Sequence, residues 1–164
     1  SPFASLAVTD AEVLARFGFA RVFDRIRATA AVTPAQTGFA IYQATLWAGD
    51  DPQQPPLLLR LDYRREISGT DLVAASVREM RRTVADEARL RAWGGRLARI
   101  FPDVKAGDHL IGHYRQEGAL FVQNGRELGG IDDPDFARAF FGIWLDSRSS
   151  APELRAALLQ QPGV

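Results

Sequence analysis

From Leu57 to Ile67 apolar and polar side chains alternate. Leu57, Leu59, Leu61, Tyr63, Arg65 and Ile67 fall on one side of an extended chain, and Arg60, Asp62, Arg64 and Glu66 on the other. A period of two predicts a β-strand whose first side is buried. Arg65 is then a cation on an apolar face, where an unpaired charge is expensive, so the pattern predicts a buried guanidinium with a partner. Glu79 and Asp62 are the internal candidates; the carboxylate or oxyanion of a ligand is the alternative. Phe39 to Trp47 suits another strand, and the Asp-Asp-Pro-Gln-Gln-Pro-Pro run within Gly49 to Pro56 reads as an exposed connection between the two.

The period then changes. Ser68, Gly69 and Thr70 offer caps for a helix carrying Val73, Val77, Met80 and Val84 at helical spacing. A second helix carries Leu90, Trp93, Leu97 and Ile100 and ends before Phe101-Pro102. Residues from about Asp108 to Arg115 read as a strand. Asn124-Gly125, between Ala119 to Gln123 and Arg126 to Ile131, is a two-residue hairpin signal. Asp133 caps a third helix with Pro134 in its first turn and Phe136, Phe140, Ile143 and Trp144 along one stripe. Ser150-Ala151-Pro152-Glu153 reads as a capping box opening a last helix, with Leu154 and Leu158 inward. Strands joined by short turns, with helices inserted in pairs, predict an antiparallel α+β layer structure and not a doubly wound parallel sheet. No repeat, low-complexity tract or charge block divides the sequence, so one domain over residues 1–164 is expected.

Composition narrows the chemistry. The chain has 164 residues, 46% of them hydrophobic, enough for a sizeable core and too many for wholesale disorder. Its 20 basic and 20 acidic side chains cancel. The overall positive field that nucleic-acid or anionic-membrane binding usually uses is therefore missing, and neither partner is expected. Without cysteine there is no disulfide, thiolate nucleophile or thiolate metal site. Apolar runs fall far short of the roughly 20 residues needed to cross a bilayer, so no membrane span is expected. His109 and His113 would pair on a helix, but their neighbours favour a strand, which separates them by about 13 Å; no metal site is expected. Asp132, Asp133 and Asp135 lack the spacing of a calcium loop and read as helix caps. No phosphate loop, nucleophile elbow or His-Glu-x-x-His helix occurs, so nucleophilic hydrolysis has no support. The aromatic stripe Phe136, Phe140, Phe141 and Trp144 reads as core, with the wall of a ligand pocket as the alternative.

Several stretches together resemble the chalcone isomerase-like family, specifically its bacterial branch. Gly38 to Trp47 is similar to the family's first long strand, and Tyr63-Arg64-Arg65-Glu66-Ile67 to its aromatic, arginine, acid, aliphatic strand end, with Arg65 in the arginine position. Gly107-Asp108 to Tyr114, Phe121 to Gly129 and Phe136 to Leu145 resemble its C-terminal half, the last stretch most specifically. The resemblance covers roughly 38–159 and implies an open-faced β-sandwich, with helices on one face of a large antiparallel sheet and no cofactor.

In the plant enzymes of that family an arginine, a threonine, a tyrosine and an asparagine arrange a chalcone for intramolecular addition of its phenolate to the enone. Here Asp71 to Ile100 contains neither tyrosine nor asparagine, the lone Asn124 sits in the hairpin turn, and Ala40 stands where threonine would be, with Thr45 at a different spacing. Losing most of the groups that hold the phenolate and polarise the ketone removes that chemistry. The resemblance thus implies the fold without the catalytic residues, and other such members bind fatty acids between sheet and helices. The expected function is non-catalytic binding of a small amphipathic ligand, with Arg65, Tyr42, Tyr63 and Tyr114 lining the pocket. An isomerase or lyase with a rearranged site and a ligand-free interaction module are the alternatives. The sequence opens at Ser1-Pro2-Phe3 without methionine. With the absence of cysteine and the bacterial resemblance, this predicts a trimmed leader and a periplasmic location, a cytoplasmic one being the alternative.

Overall fold

The computed structural model describes residues 26–32, 41–49 and 51–159. The strands are β1 (Ile26–Val32), β2 (Tyr42–Ala48), β3 (Leu57–Tyr63), β4 (His109–Arg115), β5 (Gly118–Gln123) and β6 (Arg126–Ile131). The helices are α1 (Gly69–Met80), α2 (Glu87–Ala98), α3 (Pro134–Leu145) and α4 (Pro152–Leu159). The strands form one six-stranded sheet in the order of the sequence, and every neighbouring pair is antiparallel. The paired helices α1 and α2 leave the sheet after β3, and the chain returns at β4 beside the strand it left. This is the antiparallel α+β layer structure that the element order predicted, in the open-faced β-sandwich form that the family resemblance implied. β1, for which the sequence pattern named no strand, pairs Val32 with Tyr42 and Thr29 with Thr45 on β2.

Local chemistry starts and stops the helices. Ser68 accepts a hydrogen bond from the Asp71 amide at 3.0 Å to cap α1, and the first amide of that helix, Gly69, donates to Asp103 Oδ1 at 2.7 Å. Asp86 caps α2 in the same way through Arg89 N. Asp133 caps α3 with Oδ1 on the amides of Asp135 and Phe136, while its Oδ2 accepts from Trp93 Nε1 at 3.1 Å, tying α2 to the start of α3. The capping box expected at α4 does not form. The Ser150 hydroxyl instead donates to Glu79 of α1, because the tertiary neighbour offers a charged acceptor. Val84, expected inside the first helix, lies beyond it in the connection to α2.

The sheet face toward the helices carries Ala44, Leu46 and Ala48 of β2, Leu57, Leu59, Leu61 and Tyr63 of β3, and Phe121 of β5, all buried in one core with Phe136, Phe140, Phe141 and Trp144 of α3. The opposite face departs from the expectation of a polar surface. Register places Trp47, Leu58, His113 and Leu120 in one row across it. Trp47, Leu58, Ile111 and Val122 there are at most 3% exposed. Alternation on β3 alone named only Arg60 and Asp62 as its outer side, and these two pair with each other at 2.8 Å.

Candidate functional site

A cavity of about 560 Å³ lies between the sheet and helices α1 and α3. Its floor is Leu59, Leu61 and Tyr63 of β3 with Leu110, Gly112 and Phe121; its roof is Leu72, Ala75 and Ser76 of α1 with Phe140, Phe141 and Trp144 of α3. Aromatic edges knit one wall together, Phe121 against Phe140 at 5.1 Å and Phe140 against Trp144 at 5.4 Å. The polar lining residues that are exposed to solvent, Arg65, Asp71, Arg78 and Ser150, mark the mouth. The volume falls within the ~300–1,000 Å³ of small-molecule sites, and apolar walls with a few polar groups are their usual composition.

Two tyrosines supply polar groups inside. The Tyr42 hydroxyl accepts a hydrogen bond from Trp144 Nε1 at 2.8 Å and keeps its own proton to donate. Tyr63 packs edge-on against Tyr42, with ring centroids 5.7 Å apart, and its hydroxyl has no hydrogen-bond partner among the described residues. Burial pushes the Tyr42 phenol up to about 12, helped by the Glu79 carboxylate and opposed by the Trp144 N–H. Burial, and then Tyr42 itself, raises Tyr63 further. Both rings are therefore neutral donors at ordinary pH, suited to an acceptor oxygen and unsuited to act as bases.

The two hydroxyls differ in what they hold, so their removal differs in effect. Tyr42→Phe is expected to destabilise the protein by about 1–2 kcal/mol, because the buried indole N–H loses its acceptor. Tyr63→Phe, which breaks no bond within the described residues, is expected to change stability by less than ~0.5 kcal/mol. Urea melts of the two variants beside the parent check the ranking.

Arg65 stands differently from the expectation. β3 ends at Tyr63, where the ladder gives way to Arg64 N donating to Ile41 O and Gly107 N donating to Tyr63 O. The chain then bends toward an isolated bridge between Ile67 and Val104. Arg65 lies on that bend, exposed, at the cavity mouth and not within the buried face. Neither internal candidate pairs with it, since Asp62 holds Arg60 and Glu79 accepts from Ser150. Alternation misplaced it because the strand pairing that enforces alternation had already run out.

Tyr114 is also placed elsewhere. Its ring stacks on Phe141 at 4.9 Å and an interplanar angle of 6°, and it faces a separate groove with Gln53, Gln116 and Arg138. Gly112 makes room for that arrangement, since a Cβ there would sit 2.9 Å from the Phe141 ring. The structure thus gathers Tyr42, Tyr63 and Arg65 at one cavity and sends Tyr114 to another. Sequence reasoning missed Trp144 as a polar partner and the α1 face of Leu72, Ala75, Ser76 and Glu79. Small and polar residues at i, i+3 and i+4 opposite Val73 and Val77 were the legible sign of that face.

Comparison with known proteins places the chain in a family. The profile of chalcone isomerase-like proteins matches residues 39–160, and the chain belongs to that family. Among solved structures, the fold is similar to that of a fatty-acid binding protein of Arabidopsis thaliana, with a TM-score of 0.59 and 9% identity over 84% of this chain and 85% of that one. At that identity the likeness speaks for the fold alone. Comparison with curated proteins finds no match.

Proposed function

We propose that this protein binds a small amphipathic ligand, a long-chain fatty acid being the best fit, without chemically changing it. The observation that carries the reading is the cavity of about 560 Å³ with aliphatic and aromatic walls, phenolic donors inside and a guanidinium at its mouth. The Arabidopsis relative in fold is itself a fatty-acid binding protein. Burying an acyl chain contributes about 25 cal/mol per Å² of apolar surface, so one polar anchor suffices for useful affinity. Arg65 is that anchor. Its guanidinium meets the carboxylate at the opening while Tyr63 and Tyr42 donate to oxygens that reach further in.

Trp144 lines the cavity, so its fluorescence reports occupancy. Titrating delipidated protein with a long-chain acid is expected to change the emission saturably. Arg65→Gln is expected to weaken binding of the acid by about tenfold, in line with a lost charge-assisted hydrogen bond, while leaving the corresponding methyl ester little affected. An emission that ignores the acid, with no gain in melting temperature at concentrations well above micromolar, would overturn the proposal.

A further inference from the structure

The neutral charge of the chain conceals a strong asymmetry. Between residues 78 and 99 there are seven arginines, Arg78, Arg81, Arg82, Arg89, Arg91, Arg96 and Arg99, against three acids, Glu79, Asp86 and Glu87. That segment therefore carries +4, and because the whole chain is neutral the remainder carries −4. All seven arginines are exposed. Three of them have other tasks: Arg81 pairs with Glu87, Arg89 with Asp135, and Arg82 donates to the Arg148 carbonyl. Arg91, Arg96 and Arg99 make no close ion pair or hydrogen bond among the described residues and do not line the cavity, Arg91 having only the charge of Glu87 one turn back within reach.

Helical geometry explains why Arg91 and Arg96 of α2 and Arg99 at its C-cap share an outer arc. Leu90, Trp93 and Leu97 are buried, and at 3.6 residues per turn Arg91, Arg96 and Arg99 project from the remaining surface. Between them stand Ala92, Gly95 and Ala98, all exposed and all too short to hold a flat partner away from the guanidinium groups. The helix dipole gives Arg96 and Arg99 a structural reason to sit near the C-terminal end, but Arg91 lies in the first half of the helix, where a cation gains nothing from it.

We propose that the outer face of α2, with the C-terminal turn of α1 beside it, docks on an anionic phospholipid surface. The occupant follows from the chemistry. Spread guanidinium groups on a smooth, small-residue helix face match a plane of headgroups, each contributing roughly a factor of five to association. A single-stranded nucleic acid would need exposed aromatic platforms, and the aromatic ring on this helix, Trp93, is buried. Arg78, at the α1 end of this segment, also lines the cavity. The inference does not depend on the cavity being filled.

The test is flotation of the full chain, delipidated and with no ligand added, on phosphatidylcholine vesicles with and without phosphatidylglycerol. Binding is expected to the anionic vesicles alone and to vanish at high salt. R91Q/R96Q/R99Q is expected to lose about two orders of magnitude in vesicle affinity with unchanged circular dichroism. R64Q/R126Q, which removes charge from exposed positions outside the helices, is expected to lose little. Absence of binding to anionic vesicles at low salt, equal binding to neutral ones, an unaffected triple variant, or equal loss in the two variants would each overturn the proposal. A parent protein that ignores vesicles but shifts a nucleic acid would do so in favour of a different partner.

Discussion

Gly118→Ala is expected to destabilise the protein by about 3–5 kcal/mol, a large share of the roughly 5–15 kcal/mol by which such domains are stable. Gly118 opens β5 with a φ of 153°, a region that side chains disfavour. A Cβ there would sit 2.1 Å from the Ile131 carbonyl oxygen and 2.8 Å from the Asp133 amide. Both are backbone atoms and cannot swing aside. Relief requires moving the connection from β6 into α3, where Asp133 caps the helix and accepts the Trp93 indole N–H. Displacing that residue shifts Phe136, which is fully buried against Trp93 and Phe121. The contrast is Gly125→Ala in the β5–β6 turn, where φ is 84° but nothing lies within 4 Å of the added atom. That variant carries only the left-handed backbone penalty, about 1–2 kcal/mol. Urea midpoints for both variants provide the comparison, and equal values would show that the close approach is not the cause.

Acidification from pH 7 to 4 is expected to remove about 3 kcal/mol of stability through His113 alone. Burial, with the Arg115 charge adding to it, lowers the imidazole from its ordinary 6.5 to about 4. The folded protein thus favours the neutral ring, and between pH 4 and 6.5 the unfolded chain binds more protons. Stability is then complete above about 6.5 and falls as pH falls toward 4, by about 1.36 kcal/mol for each pH unit between the unfolded and folded values. His109, lowered mainly by burial and next by Arg60, acts in the same direction. Carboxylates held low by hydrogen bonds, Asp135 to Arg89 and Asp146 to Arg148, lose their contribution only at lower pH still, below their ordinary values near 4. His113→Gln is expected to flatten the slope of unfolding free energy between pH 6.5 and 4. A slope identical to the parent's would assign the acid sensitivity elsewhere.

The family resemblance rested on stretches that the structure makes into β2, the end of β3, β4 to β6 and α3. Asn124-Gly125 shows how far local chemistry reaches. Asn124 takes a φ of 48° in the turn, as the pair predicted, yet its side chain also accepts from the His109 amide and donates to Asp108. Those are long-range bonds that no turn rule contains. The site was legible in part for the same reason. Tyr63 lies within β3, where alternation assigned its face, and Tyr42 was named only through the family resemblance, while Arg65 and Tyr114 depended on where pairing stops and where Phe141 lies.

The sequence by itself determined β2 to β6 and the four helices, the caps of α1 and α3, the antiparallel class and the apolar face that meets the helices, because periodicity, cap residues and turn residues act within a few positions of the chain. Tertiary structure alone decided the rest. It ended β3 at Tyr63 and so put Arg65 at an opening, drew Ser150 from its own helix to Glu79, and shielded Trp47, Leu58, Ile111 and Val122 on the second face of the sheet. It also left α1 and α3 far enough from the sheet to keep a cavity of about 560 Å³. Each of these depends on the distance between elements remote in sequence, and interior packing at near-crystalline density settles such distances through all the side chains at once.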